Sequence, residues 1–135
     1  LLETRGRLDE AEPLYRRAMA ITEKALGPDH PEVAATLNNL AGLLETRGRL
    51  DEAEPLYRRA MAITEKALGP GHPSFATTLN NLAYLLARRG ELDEAEPLYR
   101  RALAILRAAL PGGHPDIATV EGNHTDLLTR RSKNP

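Results

Sequence analysis

Three histidines, His30, His72 and His114, recur at intervals of 42 residues, and each is followed by proline. Imidazole can ligate a metal or move a proton, but either role needs groups that converge on one point. Groups that recur once per repeat at the same loop position stand about a repeat apart, so capping or loop packing is the expected role. The acidic clusters Asp9–Glu12, Asp51–Glu54 and Asp93–Glu96 likewise recur with that interval. They read as the opening turn of a helix, where negative charge meets the positive end of the dipole, and not as a paired-carboxylate site. Asn123–His124–Thr125 matches a glycosylation acceptor, which matters only on secretion. Arg130–Arg131–Ser132–Lys133 reads as a short basic tail with a frayed end. With no cysteine there is no thiolate nucleophile, no disulfide and no Cys-based zinc site. No catalytic residue, metal site or cofactor is expected.

The totals point to an interaction surface of mixed charge. The chain has 135 residues, 41% apolar and 27% charged, with a net charge of −1. Charges of both signs are interleaved, as in Glu54, Arg58 and Arg59. Such a balance argues against nucleic acid or an anionic membrane surface as the partner. No apolar run approaches the roughly 20 residues that cross a bilayer, and there is no signal peptide, so a cytoplasmic location is expected. Only 4% of residues are aromatic. The core must then come from Leu, Ala, Ile, Val and Met, a helical palette.

Those residues are positioned by an internal repeat. Residues 1–28 recur unchanged as residues 43–70, and a diverged third copy begins at Leu85. The connecting stretch also repeats, from Asp29, from Gly71 and, in degraded form, from Gly113. Each unit reads as two helices. The first opens at His-Pro, with Pro in the first turn and Asp29 or His30 as the cap. Leu37, Leu40, Ala41 and Leu44 then fall at i, i+3, i+4 and i+7, an apolar stripe of helical period. Gly48 ends that helix. The second helix starts at Asp51, carries Pro55 near its first turn and stops at Gly69–Pro70. Its expected buried face is Ala53, Leu56, Tyr57, Ala60, Met61, Ile63, Thr64, Ala67 and Leu68. Arg58, Arg59, Glu65 and Lys66 stay outside.

This pattern resembles the tetratricopeptide repeat. Leu37, Leu40, Ala41 and Leu44 occupy the family's first-helix positions, Gly48 its linker, and Ala53, Tyr57 and Ala60 its second-helix positions. Leu79, Leu82, Ala83, Leu86, Gly90, Ala95, Tyr99 and Ala102 do the same one unit later. The period of 42 exceeds the usual 34. This long form, with its Gly-Pro-x-His-Pro turn, is similar to the repeats of kinesin light chain and to bacterial arrays attached to signalling ATPases and protease-like domains. Fifteen Arg against three Lys favour a bacterial multidomain parent. The near-perfect duplication reflects recent repeat expansion or deliberate consensus design. The resemblance implies an all-α, right-handed superhelical solenoid of antiparallel helix pairs. Its expected organisation is one array: a truncated first repeat (1–30), full repeats at 31–72 and 73–114, and a degenerate capping helix with tail (115–135).

The stripe opposite the core on each first helix is left for partners. Asn39 lies two residues beyond Leu37, about 200° round the helix. Steps of three and four from it reach Gly42 and Thr46, and in the next unit Asn81 leads to Tyr84 and Arg88. Asn38 and Asn80 flank these stripes. In the family such positions line a concave groove that holds a peptide, and a carboxamide can pair with any peptide backbone. The candidate groove residues are therefore Asn38, Asn39, Thr46, Asn80, Asn81, Tyr84 and Arg88. Bonding to neighbouring helices is the plainer role for the asparagines. Gly42 against Tyr84 predicts an open end and an aromatic end, and Arg88 adds positive charge, so an acidic or aromatic segment would fit.

The two ends differ. Glu121, His124 and Thr125 replace the core Leu, Leu and Ala of earlier copies, while Ile117, Val120, Leu127 and Leu128 keep a narrower apolar stripe. This polar version suits a solenoid cap over residues 115–131. Residues 1–5 read as the tail of a first helix. The helix from Leu8 to Leu26 then lacks most of its partner and offers a face for self-association. The leading expectation is a module that binds a protein or peptide partner and catalyses nothing. The alternative is a structural spacer or self-assembly element without a dedicated peptide.

Overall fold

A computed structural model describes the backbone of residues 2–133 and the side chains of residues 6–133. Leu1, Asn134 and Pro135 lie outside the described residues. The chain is all-α, with six helices: α1 (Leu2–Leu26), α2 (Pro31–Thr46), α3 (Leu50–Leu68), α4 (Pro73–Arg88), α5 (Leu92–Ala109) and α6 (Pro115–Lys133). No strand occurs among the described residues. The chain divides into two compact units, Leu1–Ala67 and Leu68–Pro135.

The helix starts follow from local chemistry. In α2, α4 and α6 proline opens the first turn, and the preceding histidine accepts a backbone N–H through Nδ1. The donors are Glu32, Ser74 and Asp116, at 3.0, 3.0 and 3.1 Å. A helix start leaves four N–H groups without intrahelical partners, and each imidazole satisfies one. The capping role expected of these histidines is thus seen directly, and His30 rather than Asp29 is the cap of α2. Asp29 instead faces Lys66 at 3.4 Å. The exits of α2 and α4 use Gly48 and Gly90, at φ +79° and +83°, where an L side chain would be strained.

In the first unit α2 packs against α1. Val33, Ala34 and Leu37 of α2 bury Ala60 and Ile63 of α3, with Met19 of α1 and Leu56 of α3 packed on the same cluster. In the second unit α5 packs against both α4 and α6. Phe75, Leu79, Leu82 and Leu86 of α4, Tyr99, Ala102 and Leu106 of α5, and Ile117, Val120 and Leu127 of α6 are buried in this unit. Full burial of each such Leu or Ile is worth about 1.5–3 kcal/mol.

Four expectations need correction. Ala67 and Leu68 are exposed, because α3 has 19 residues against the 16 of α2 and its last turn runs past that partner. Leu128 is also exposed. It stands at the position of Leu44 and Leu86, which are fully buried. The stretch Arg130–Lys133 is not a frayed tail but the last turn of α6. Finally, α1 is continuous through Gly6, whereas the same Leu-Leu-Glu-Thr-Arg-Gly sequence breaks at Gly48. Glycine in a helix costs about 1 kcal/mol without forbidding it, so one sequence can take both forms, and the turn form places Gly48 at φ +79°.

Candidate functional site

Each first helix presents one apolar face inward and one mixed face outward, and the expected groove residues lie on the second. On α2, Asn38 is half-buried, while Asn39 and Thr46 are exposed. The Thr46 hydroxyl donates to the Gly42 carbonyl at 2.9 Å, bonding back along the helix. A Cβ on Gly42 would stand 3.7 Å from the Tyr57 hydroxyl, an ordinary contact, so Gly42 packs beside the start of α3's buried face. That hydroxyl donates to Glu45 Oε1 at 3.0 Å. Glu45 is buried, and Ala87 takes its place in the next repeat.

The second unit carries a more developed site. Asn123 Nδ2 of α6 donates to Asn80 Oδ1 of α4 at 3.2 Å. This bond bridges the two first helices, and a cleft of about 220 Å³ opens on either side of it. One is lined by Thr77, Asn80 and Asn81 of α4 with Asp116 and Thr119 of α6. The other is lined by Tyr84 and Arg88 of α4, Tyr99 of α5, and Asn123, Asp126 and Arg130 of α6. Tyr84 is 47% exposed, unusual for an aromatic side chain on a packed helix. Asn80, Asn81, Tyr84 and Arg88 are therefore brought to one surface. Asn80 spends part of its capacity on the bridge to Asn123. The two clefts differ in charge, with Asp116 in one and Arg88, Asp126 and Arg130 in the other. Asn38, Asn39 and Thr46 belong to the first unit, where Thr46 borders a cleft of about 480 Å³ with Leu8, Asp9 and Arg47.

A recurring ionic clasp was not read from the sequence. Arg47 at the end of α2 reaches Glu12 of α1 at 2.7 Å through Nη1 and Asp9 through Nη2. At the corresponding position of α6, Arg131 reaches Asp93 at 2.9 Å and Glu96 at 3.4 Å. The clusters at Asp9–Glu12 and Asp93–Glu96 thus hold the first helix of the following repeat. Asp51 and Asp93 also open their own helices as expected, whereas Asp9 does not, because α1 is continuous from Leu2. Glu12 also meets Arg49 at 2.5 Å and Arg16 at 3.0 Å. Burial works against the Glu12 carboxylate, but Arg16 and Arg49 outweigh it and hold the carboxyl below its ordinary range. Hydrogen bonding to Arg49 similarly lowers that of Glu52. His124 bonds to Glu96 at 3.1 Å and lies against Tyr99, with ring centroids 6.1 Å apart, so its half-buried imidazole fills the place of a core leucine. The fixed 35- and 38-residue offsets between clasp partners were the available signal. Among the described residues no cluster of His, Cys, Asp or Glu could hold a metal ion, and no helix is long and apolar enough to cross a membrane.

The family model described as tetratricopeptide repeat matches residues 1–66, 32–108 and 74–134. The chain belongs to the tetratricopeptide repeat family. No curated protein sequence matches it. Among solved structures, tetratricopeptide-like repeats of a putative kinesin light chain from Podosopora anserina superpose with a TM-score of 0.86 at 27% identity, over 96% of this chain and 61% of that one. BtubC (BKLC) from P. vanneervenii superposes with a TM-score of 0.84 at 27% identity, over 94% of this chain and 51% of that one. The chain thus spans between half and two thirds of these neighbours. Its tetratricopeptide fold is of the kinesin-light-chain-like kind. Repeats of this family are generally protein–protein interaction modules, and the family is not an enzymatic one.

Proposed function

We propose that this tetratricopeptide array binds an extended peptide or protein segment along the outward faces of its first helices. The observation that carries this reading is the α4–α6 surface, where the exposed Tyr84 lines one of two clefts that flank the Asn80–Asn123 bond. An exposed aromatic beside carboxamides is suited to a peptide, because the ring takes up an apolar side chain and the amides pair with backbone. Asn81 and Arg88 flank Tyr84 on α4, and Asn38, Asn39 and Thr46 offer a similar but aromatic-free surface on α2. An acidic or aromatic segment fits the Tyr84 end best, with Arg88 and Arg130 supplying positive charge.

The partner class is protein, with neither nucleic acid nor membrane: the net charge is −1 and many surface charges are already matched by ion pairs. The absence of cysteine accords with a cytoplasmic setting. Selection of a displayed random-peptide library tests the reading. Enriched peptides should bind the wild type and lose about tenfold or more against Asn81→Ala/Tyr84→Ala, since hot-spot aromatics carry at least ~1.4 kcal/mol. Peptides that bind the double variant equally well would overturn it. If Asn39→Ala/Asn81→Ala leaves all behaviour unchanged and no peptide is enriched, the array is a spacer instead.

A further inference from the structure

The two units carry the same second-helix tyrosine, Tyr57 on α3 and Tyr99 on α5, but give it different surroundings. In the first unit the hydroxyl of Tyr57 donates to Glu45 at 3.0 Å, and both residues are buried, at 4% and 7% exposure. That carboxylate belongs to the last turn of α2. One repeat later Ala87 stands 42 residues on, in the place of Glu45, and Tyr99 is 1% exposed. The second unit's sequence supplies no carboxylate at that place.

Space and charge change with it. The cleft of about 220 Å³ between α4 and α6 is lined by both Ala87 and Tyr99, together with Tyr84, Arg88, Asp126 and Arg130. At about 30 Å³ for a water molecule, it has room for a carboxylate and the methylenes that carry it. Arg88 stands where the first unit has the uncharged Thr46, and Arg130 follows it by another 42 residues. Two arginines meet one aspartate in the lining, so positive charge remains in excess even with Asp126 fully matched. A carboxylate is costly to bury unless charge and hydrogen bonds compensate it, and this cleft offers both.

We propose that this cleft takes the side-chain carboxylate of a glutamate from the bound segment, seated beside Tyr99 as Glu45 is seated beside Tyr57. A hydroxyl turns its proton to the strongest acceptor in reach, and an incoming carboxylate is that acceptor for Tyr99. Arg88 and Arg130 supply the compensating charge from α4 and α6. A side chain on two methylenes keeps the segment's backbone outside the cleft, where the carboxamides can pair with it. A terminal carboxylate in the same place would draw the backbone in. This glutamate subsite rests on the peptide-binding reading and adds to it the residue that the partner carries.

Peptides enriched from the displayed library, resynthesised with amidated C-termini, test the subsite by fluorescence polarisation. Those that need Asn81 and Tyr84 should carry a glutamate whose replacement by glutamine weakens binding about tenfold or more, as loss of a charge-assisted hydrogen bond does. Ala87→Glu should weaken binding by a similar factor, because it supplies in cis the carboxylate that Glu45 supplies to Tyr57. Tyr99→Phe should weaken it about threefold or more, the effect of one hydrogen bond. Circular dichroism should show unchanged helix content in both variants, and the change made in the peptide reads the subsite without altering the protein. Peptides that bind through Asn81 and Tyr84 yet tolerate glutamine, or keep their affinity for folded Ala87→Glu, would overturn the subsite and leave peptide binding standing. So would peptides that bind only with a free C-terminal carboxylate. Peptides indifferent to Asn81→Ala/Tyr84→Ala would overturn the binding reading and the subsite with it.

Discussion

Glu12 is the sharpest test of the ionic clasp. Its side chain is 12% exposed and meets Arg47 at 2.7 Å and Arg49 at 2.5 Å, the first from the end of α2 and the second from the loop before α3. Glu12→Gln keeps the shape and removes the charge. Charge-assisted hydrogen bonds of this kind contribute about 1.5–3 kcal/mol when partly buried. Arg47 keeps Asp9 and Arg49 keeps Glu52, both more exposed, so the expected loss is smaller, about 1–2 kcal/mol. Asp9→Asn should cost no more than about 0.5 kcal/mol, since Asp9 is 62% exposed. Urea unfolding followed by circular dichroism measures both, and the Glu12 effect should shrink only modestly in high salt.

Acid adds a second readout. A carboxyl whose folded-state pKa is depressed stabilises the fold above its unfolded-state pKa and loses that contribution as pH falls through the folded value. The Glu12 carboxyl is lowered from about 4.5, so wild-type stability should fall below that pH and the Gln variant should fall less. A Glu12→Gln stability within about 0.3 kcal/mol of wild type, or an identical acid limb, would refute the reasoning.

Three further outcomes follow from local geometry. His72→Ala should lose the bond to the Ser74 N–H and cost about 1 kcal/mol in thermal or urea unfolding, while His72→Asn, which keeps an acceptor, should recover most of it. Gly122→Ala should stabilise the second unit by about 0.5–1 kcal/mol, because a Cβ there meets nothing within 4 Å and Gly122 lies inside α6. Leu82→Ala should destabilise by about 2–5 kcal/mol, since Leu82 is fully buried in the core over α5.

Much of this architecture is legible in the residues. The 42-residue shift with Pro31, Pro73 and Pro115 locates three helix starts to the residue, and the Leu/Ala stripe identifies the buried set of α2 and α4. What escapes is what depends on which neighbour is present. Leu44 and Leu86 are buried while Leu128 is not, although it holds the same place in the repeat, because stripe membership does not say which helix covers a residue. The same hexapeptide turns at Gly48 and stays helical at Gly6. Arg47 and Arg131 look like surface charge until the helices place Asp9 and Asp93 beside them. The asparagine faces were legible as outward positions, but the bridge from Asn80 to Asn123 was not, because it joins residues 43 apart on an eroded copy of the repeat.

Chemical-shift mapping of the isotope-labelled chain with a library-selected peptide tests the binding account most directly. Shifts should cluster at Asn81, Tyr84 and Arg88 of α4 and at Asn123 and Arg130 of α6, with any extension at Asn39 and Thr46 of α2. Shifts confined to α1 or to the outer face of α5 would contradict it.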